Sequence, residues 1–361
     1  MKPESAVPSA RILVVDDSAF MRTALSRMIA SEADFEVVGT ASSGEEALKK
    51  VDSLDPDVVT LDIEMPGVNG LETLHKIMAQ SPRPVIMVSA ATEKDAEDTF
   101  KALAAGAFDC IPKQLSRASL DIFHIREDLI GKIRAAAASR SLTNRTPVCK
   151  PPQTSHSGGH IAMAEMHPAI VAMGSSTGGP KALQEILPRF PRDFPVPILV
   201  VQHMPPGFTA GFAQRLNRLC AVAVRQAAHR EAIEPGVVYI APAGRHMKVD
   251  RQHGSGMTIC IDDQPADSLH VPSIDIMMQS VAARFRNLAV GVILTGMGSD
   301  GAEGMRAIHR WGGLTIGQDE TTSTAYGMPK ACAELGVLSR MVPLPEIPAH
   351  ILQAVHYRKR A

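Results

Sequence analysis

Short apolar runs alternate with amphipathic segments along the first part of the chain. The runs are rich in β-branched residues and predict strands at Ile12–Val15, Val37–Val38, Val58–Leu61, Val85–Val88 and Phe108–Ile111. The segments between and after them carry apolar residues at helical spacing, in Phe20–Ile29, Glu45–Val51, Leu71–Met78, Ala96–Leu103 and Asp121–Ala138. This alternation predicts parallel βαβ units, and therefore a doubly wound, five-stranded parallel sheet in an α/β domain over residues 9–138.

A change in amino-acid composition separates this domain from the rest of the chain. Residues 139–166 are rich in Ser, Thr, Pro and Gly without periodicity, which predicts a flexible linker. The alternation then resumes and predicts a second doubly wound α/β domain over residues 167–357. Its predicted strands lie near Ala169 and at Pro197–Val201, Val237–Ala241 and Ala289–Leu294, with Met257–Ile261 in a more antiparallel insertion.

Composition narrows the class of protein. The chain has 361 residues, enough for two ordinary domains, and its net charge of −1 provides no electrostatic footprint for nucleic acid or an anionic membrane. No apolar run reaches membrane-spanning length and no secretory signal is apparent, so we expect no membrane insertion. Five dispersed cysteines without metal-like spacing favour a reducing compartment, and we expect a cytoplasmic protein.

Acidic side chains follow the predicted strands of the first domain. Asp16 and Asp17 come directly after the first strand and Asp62 ends the third. Carboxylates gathered at neighbouring strand ends repel one another unless a cation lies among them, and oxygen ligands suit Mg²⁺. Ser89 and Lys113 end the fourth and fifth strands, adding a hydroxyl and a cation. Helix capping is the alternative, but these five residues together indicate a phosphoryl site better than caps do.

The motifs that carry these residues resemble a response-regulator receiver domain with its flavodoxin-like sheet. They are Leu13-Val14-Val15-Asp16-Asp17-Ser18, Asp62-Ile63-Glu64-Met65-Pro66-Gly67, Val88-Ser89-Ala90 and Lys113. The resemblance implies that Asp62 is the phospho-acceptor, and that Asp17, Asp62 and the Glu64 carbonyl hold Mg²⁺, with Asp16 acting through water. It implies also that Ser89 and Lys113 sense the phosphoryl group. The chain departs from the family at Gln114, where proline is usual, and at Cys110, where an aromatic residue is frequent.

A serine turn opens the second domain. The apolar run Ala169–Met173 ends in Gly174-Ser175-Ser176-Thr177-Gly178-Gly179, which fits the Gly-x-Ser-x-Gly pattern of a nucleophilic serine. His203 and Asp300 each follow another apolar run, so all three residues are expected at strand ends. A base and its orienting group are what Ser176 needs to act as a nucleophile. Their order along the chain differs from that of α/β-hydrolases, and Ser176 as a helix cap is the plain alternative.

A competing interpretation concerns Gly296–Gly301. This segment fits Gly-x-Gly-x-x-Gly, and Asp319 follows near the distance expected of a ribose-binding acid. A dinucleotide fingerprint belongs in the first strand-to-helix turn of its domain, whereas this one comes late. The pattern therefore favours a catalytic loop over nucleotide binding.

Six motifs of the second domain resemble the catalytic domain of the CheB protein-glutamate methylesterase family. They are Gly174–Gly179, Gln202–Pro205, Ala241–Gly244, Pro272–Asp275, Thr295–Gly301 and Gly317–Asp319 through Gly327–Pro329. The resemblance implies hydrolysis of glutamate γ-methyl esters on methyl-accepting chemoreceptors with release of methanol, and deamidation of certain receptor glutamines. By the same resemblance, the Met297 N–H is the oxyanion donor and Thr177 a helper, with Gln202 a second candidate helper, while ester hydrolysis needs no cofactor.

The implied partners are the chemoreceptors as substrate and a chemotaxis histidine kinase as phosphodonor. We expect the unphosphorylated receiver to cover the Ser176 face and phosphorylation of Asp62 to loosen that contact. A phosphorylation-dependent adaptor that only binds receptors is the alternative class. Such an adaptor would bind the receptors without releasing methanol, whereas the enzyme would release it.

Overall fold

The computed structural model describes residues 10–89, 93–113, 119–143, 168–251 and 256–357, which form two α/β domains. The strands of the first domain are β1 (Ala10–Val15), β2 (Phe35–Ala41), β3 (Val58–Asp62), β4 (Val85–Ser89) and β5 (Asp109–Pro112). Its helices are α1 (Ala19–Ala30), α2 (Gly44–Leu54), α3 (Gly70–Gln80), α4 (Glu93–Ala104) and α5 (Ser119–Thr143). The predicted alternation and the predicted fold class are thus confirmed.

The first sheet has the order β2-β1-β3-β4-β5 with every pair parallel. Its central strands are buried on both faces, as Ile12 and Val14 face one helical layer and Leu13 and Val15 the other. The strand order reverses between β1 and β3, which opens a crevice at their carboxyl ends. Asp62, the last residue of β3, lies at this crevice.

Polar caps explain where the first helices begin. Ser18, Ser43 and Asn69 each accept a hydrogen bond from a backbone N–H in the first turn of the following helix. These caps satisfy amide groups that have no partner within the helix. Helices α1 and α3 therefore start just after the loops that leave β1 and β3, the two strands whose ends carry the acidic residues.

Within residues 168–251 and 256–357, the second domain contains nine strands and six α-helices. Its strands are β6 (Ile170–Ser175), β7 (Ile198–Gln202), β8 (Ala223–Gln226), β9 (Val237–Ile240), β10 (His246–Arg251), β11 (Met257–Asp262), β12 (Ala289–Ile293), β13 (Leu314–Gln318) and β14 (Arg340–Val342). Its helices are α6 (Gly179–Ile186), α7 (Phe208–Leu219), α8 (Ile274–Phe285), α9 (Ala302–Arg310), α10 (Met328–Glu334) and α11 (Ile347–Ala354).

Seven of these strands form one parallel sheet of order β14-β13-β12-β6-β7-β9-β8. The remaining two, β10 and β11, pair antiparallel, which confirms the antiparallel insertion predicted around Met257–Ile261. In the centre of the sheet, β6 lies between β12 and β7. The loops that leave these three strands therefore meet at one edge, and they carry Ser176, His203 and Asp300.

The segment between the domains is described only at its start. Helix α5 continues to Thr143, so the first residues of the predicted 139–166 linker are helical, and 144–166 lie outside the described residues. Within the described part of the chain, no helix combines the length and the apolar character needed to cross a bilayer.

Helices α4 and α5 of the first domain contact the second domain. On α4, Phe100 stacks on Phe212 of α7 with ring centroids 5.4 Å apart, and meets Phe208 edge-on at 6.3 Å. On α5, Gly131 leaves room for the side chain of Met297, which occupies the space that a β-carbon would need. The α4–β5–α5 side of the first domain therefore faces the second domain close to the loop after β12.

Candidate active and phosphorylation sites

Small residues shape the turn that carries Ser176. Gly178 has a φ of 75°, in the left-handed region that glycine tolerates best. Gly179 lies so close to the Gln202 side chain that any β-carbon would overlap it. Helix α6 starts there, with Pro180 in its first turn, and Ser176 stays half-buried while its N–H donates to the Thr295 carbonyl at 3.0 Å.

Gln202 holds the backbone of Ser176 and His203 together. Its Nε2 donates to the carbonyl oxygens of both residues at 2.9 Å, and its Oε1 accepts from the Ser175 hydroxyl at 2.6 Å. The side chain is 1% exposed, so water does not compete for these bonds. The resemblance offered Gln202 as a second candidate helper after Thr177, but the sequence did not indicate this brace, because side-chain bonds to two separate turns leave no periodic signal.

The Asp300 carboxylate accepts hydrogen bonds from four donors. His203 Nε2 lies 2.8 Å from Oδ2, and the N–H of Ile274 donates to the same oxygen at 2.8 Å. The Ser273 hydroxyl and the Asp275 N–H donate to Oδ1 at 2.9 and 3.0 Å. Three of these donors belong to the N-terminus of α8, where the helix dipole favours an anion.

These donors keep Asp300 ionised. Burial by itself would raise the pKa of Asp300, but the hydrogen bond and charge of His203, with the α8 N–H groups, outweigh it and hold the pKa well below its usual range. A carboxylate in this state orients an imidazole and stabilises it once protonated. The structure thus brings two of the three predicted residues, His203 and Asp300, into direct contact.

Ser273 and His246 extend this network and were not predicted as site residues. Ser273 caps α8 through its hydroxyl and donates its N–H to His246 Nδ1 at 3.2 Å. The His246 ring is fully buried, and its Nε2 lies 3.1 Å from the Pro265 carbonyl. The sequence could have indicated Ser273 as the N-cap of α8, since Ser is a preferred N-cap residue. Its hydrogen bond to Asp300 depends on the fold and could not be predicted from the sequence.

Backbone amide groups lie next to Ser176. Gly296 has no room for a β-carbon because Ser176 and Met328 occupy that space. Thr295 Oγ1 donates to the Thr177 carbonyl at 2.9 Å, which ties the β12 loop to the serine turn. Among the described residues, the N–H groups of Met297 and Thr177 have no hydrogen-bond partner, so both can serve an oxyanion.

Ser176, the third residue of the predicted set, lies near His203 but is not hydrogen-bonded to it in the described part of the chain. His203 N–H donates to the Ser175 carbonyl at 3.0 Å, which places His203 beside the serine turn. Within the described part of the chain, the Ser176 hydroxyl makes no hydrogen bond to His203. Catalytic hydrogen bonds are frequently long in substrate-free structures and shorten in the substrate complex.

The nucleotide-binding alternative finds no support in this geometry. Asp319 uses its carboxylate locally, accepting from the hydroxyl groups of Thr321 and Thr322 and from the Thr322 N–H. The Gly301 N–H donates to Asp275 Oδ1 at 2.9 Å instead of facing an open cradle. Gly296 instead packs against Ser176, and Gly301 is the residue before α9.

The acidic side chains of the first domain also meet. Asp16, Asp17 and Asp62 present oxygen atoms within 4.8 Å of one another, a donor set that suits Mg²⁺. Lys113 Nζ lies 2.6 Å from Asp62 Oδ2 and 3.1 Å from Asp16 Oδ2. Burial raises the pKa of Asp62 to about 6 despite the opposing effect of Lys113, so a cation at this site would be stabilising.

The remaining predicted residues of this site are distributed around Asp62. The Glu64 N–H donates to Asp62 Oδ1 at 3.2 Å, and the Glu64 side chain is exposed. Ser89 is buried and accepts a hydrogen bond from Thr99 of α4 at 3.2 Å. Burial raises the pKa of the Cys110 thiol to about 12, which makes it an inert packing residue, and Gln114 lies outside the described residues.

Comparison with known families agrees with the two domains. The family model of the response regulator receiver domain matches residues 12–122, and the model of the CheB methylesterase matches residues 171–351. The protein is therefore a response regulator whose output domain is a hydrolase.

Individual relatives define the family more closely. The Nitratidesulfovibrio vulgaris protein named protein-glutamate methylesterase/protein-glutamine glutaminase 2 is 44% identical, over 96% of this chain and 99% of its own. A Lawsonia intracellularis protein-glutamate methylesterase/protein-glutamine glutaminase is 41% identical over the same shares. The crystal structure of the Thermotoga maritima CheB methylesterase catalytic domain matches with a TM-score of 0.50 at 38% identity, covering 52% of this chain and 98% of that chain. The chain belongs to the CheB methylesterase family.

Replacing Gln202 with Glu tests the brace between the serine turn and His203. The substitution keeps the shape of the side chain but exchanges two N–H donors for an oxygen that faces two carbonyls. Losing a buried donor costs about 1–3 kcal/mol, so we expect a fall in ester hydrolysis of about tenfold or more. Steady-state methanol release measures kcat and KM, and Gln279→Glu, at an exposed position of α8, is the surface control. A Q202E rate equal to the wild-type rate would contradict a bracing role.

Proposed function

We propose that this protein hydrolyses glutamate γ-methyl esters on methyl-accepting chemoreceptors, releasing methanol, and deamidates specific receptor glutamines to glutamate. The proposal is carried by the His203–Asp300 contact beside the Ser176 turn, in a chain of the CheB family. It gives the protein a role in chemosensory adaptation in the cytoplasm. The accompanying domain boundaries are 9–138 for the receiver, 139–166 for the linker and 167–357 for the catalytic domain, with the start of the linker corrected to follow α5, which continues to Thr143.

The ester chemistry follows from the side chains at the strand ends. Ser176 Oγ attacks the side-chain carbonyl carbon, and His203 takes the hydroxyl proton. Because Nε2 faces Asp300, Nδ1 is the nitrogen available for that proton, and Asp300 stabilises the resulting imidazolium. The Met297 N–H, with the Thr177 N–H, donates to the oxyanion, and Thr177 thereby acts as a helper.

The reaction then proceeds through an acyl-enzyme. His203 gives its proton to the methoxy oxygen, or to the amide nitrogen when the substrate is glutamine, so that methanol or ammonia leaves and an acyl-enzyme on Ser176 remains. A water molecule then gives a proton to His203 and attacks the acyl carbon. As the bond to Ser176 Oγ breaks, His203 returns that proton to Oγ, which leaves a glutamate side chain on the receptor and restores the serine hydroxyl. No metal takes part in these steps as we propose them.

The receiver supplies control through phosphorylation of Asp62 by a histidine kinase. Asp16, Asp17, Asp62 and the Glu64 carbonyl oxygen would hold Mg²⁺, which neutralises charge on the incoming phosphoryl group. Lys113 already faces Asp62, and Ser89 ends the neighbouring strand. Both side chains are positioned to sense the phosphoryl group.

Contacts between the domains support an inhibitory receiver. Helix α5 of the receiver meets Met297 at Gly131, and Gly296, the residue before Met297, packs against Ser176. The receiver therefore lies beside the serine turn. Substrate would have to displace the receiver to reach Ser176.

A short path links the phosphorylation site to this contact. Ser89 bonds Thr99, and the next residue on α4 is Phe100, which packs between Phe208 and Phe212 of the catalytic domain. A change at Ser89 on phosphorylation would therefore act on the helix that holds the two domains together.

Ser176→Ala and Asp62→Asn separate the two sites. We expect S176A to lose methanol release from methylated receptor fragments while accepting phosphate at Asp62 at the wild-type rate. D62N should do the reverse, losing phosphorylation and keeping the basal ester rate. Near-wild-type methanol release by S176A would exclude Ser176 as the nucleophile, and receptor binding without turnover in the wild type would favour the adaptor.

Removing divalent metal tests the assignment of Mg²⁺ to the receiver. With EDTA, we expect acetyl phosphate to fail to phosphorylate Asp62, because the carboxylates then repel the incoming phosphoryl group without compensation. The basal ester rate, measured in the same samples, should not change. Loss of basal hydrolysis on chelation, restored by Mg²⁺, would contradict the metal-free ester mechanism.

Phe100→Ala tests the inhibitory contact. Removing the ring from between Phe208 and Phe212 should raise the ester rate of the unphosphorylated protein toward that of a chain lacking residues 1–140. The further gain on phosphorylation should shrink accordingly. Phe20→Ala, on an α1 side chain that is 71% exposed, is the matched control and should keep the wild-type basal rate. If neither F100A nor the truncation raised the rate, the receiver would not be inhibitory.

A further inference from the structure

A second imidazole lies flat against His203. The rings of His203 and His270 stack with centroids 4.3 Å apart and planes only 21° from parallel. His270 is half-buried in the loop between β11 and α8. Among the described residues, neither of its ring nitrogens has a hydrogen-bond partner. Its one specific contact in this part of the molecule is therefore the face of the catalytic ring.

The stack provides a restraint that the hydrogen bond to Asp300 lacks. A single contact between His203 Nε2 and Asp300 Oδ2 fixes one edge of the imidazole but allows the ring to turn about that contact. Turning would swing Nδ1 away from the Ser176 hydroxyl. A flat aromatic neighbour on one face opposes this rotation, since offset stacking loses contact when the planes diverge.

The loop that carries His270 also fixes Asp300. Three residues after His270, Ser273 donates to Asp300 Oδ1, and the Ile274 N–H donates to Oδ2. The segment from His270 to Ile274 thus positions both Asp300, at the edge of the His203 ring, and the His270 ring, on its face. A shift of this segment would move both restraints on His203 together.

We propose that His270 is a positioning residue that holds the His203 ring in the plane required for proton exchange with Ser176. The inference rests on the proposed role of His203 as the base of the ester reaction. It assigns to His270 no proton transfer and no contact with the reacting atoms.

The charge state of His270 suits this role. Burial lowers the pKa of His270, and the nearby His203 lowers it further, against the opposing effects of Asp300 and of Asp128 on α5. A neutral ring can lie against His203 when the latter becomes an imidazolium, whereas a second cation at this distance would oppose that protonation. The structure thus favours stacking by a neutral ring over proton relay.

Substitutions that keep or remove the flat ring test the proposal. We compare His270→Phe and His270→Ala in the full chain phosphorylated with acetyl phosphate, measuring methanol release from methylated receptor fragments. H270A should lower kcat about tenfold or more with KM nearly unchanged, because a misplaced catalytic group costs rate without costing binding. H270F should recover most of that loss and keep the shape of the wild-type pH–rate profile.

Two outcomes would overturn the proposal. Equal losses in H270F and H270A would mean that a ring nitrogen is needed, and a wild-type kcat in H270A would mean that the stack has no effect. Thermal unfolding and the rate of Asp62 phosphorylation show whether each variant folds, and His270→Tyr replaces any that does not. His203→Ala is measured alongside, and its retention of activity would reject the proposed function itself, independently of His270.

Discussion

The hydrogen bonds to the buried Asp300 carboxylate are the interaction on which the arrangement of the candidate active site depends. An ionised carboxylate is costly to remove from water unless several donors surround it, and here the start of α8 supplies three of the four. The fourth is His203, which brings the β7 loop to the β12 loop. Because β6 lies between these two strands, the Ser176 turn is held at the same edge. One buried charge therefore ties together segments that are up to 97 residues apart in the chain.

The same constraint shapes the receiver. Parallel strands deliver their carboxyl ends to one edge of a sheet, and the residues that follow must face one another there. In the first domain this gathers Asp16, Asp17 and Asp62 around Lys113, whose charge stabilises the cluster. In the second domain it gathers an imidazole and a carboxylate beside a serine. Both sites thus use the geometry of a doubly wound sheet for different chemistry.

Much of the fold was predictable from the order of apolar runs, because buried parallel strands read as continuous hydrophobic segments. All five receiver strands were predicted, as were β6, β7, β9, β11 and β12 of the second domain. Strands β8, β10, β13 and β14 were not. At the sheet edge, β8 contains the polar residues Arg225 and Gln226, and β10 is interrupted by Lys248, so neither forms an apolar run. Their pairing depends on neighbours that local sequence does not contain.

The sequence by itself determined the residue types available at each strand end, and so the classes of chemistry open to the chain. It indicated the receiver carboxylates, the serine turn and the residues expected to accompany it, because their spacing after apolar runs is a local property. Only the tertiary structure decided which side chains touch. The brace from Gln202, the α8 donors around Asp300, the His270 ring on His203 and the packing of Phe100 against α7 all join segments distant in sequence. Such contacts arise from the closure of the sheet and the docking of two domains, which no local pattern encodes.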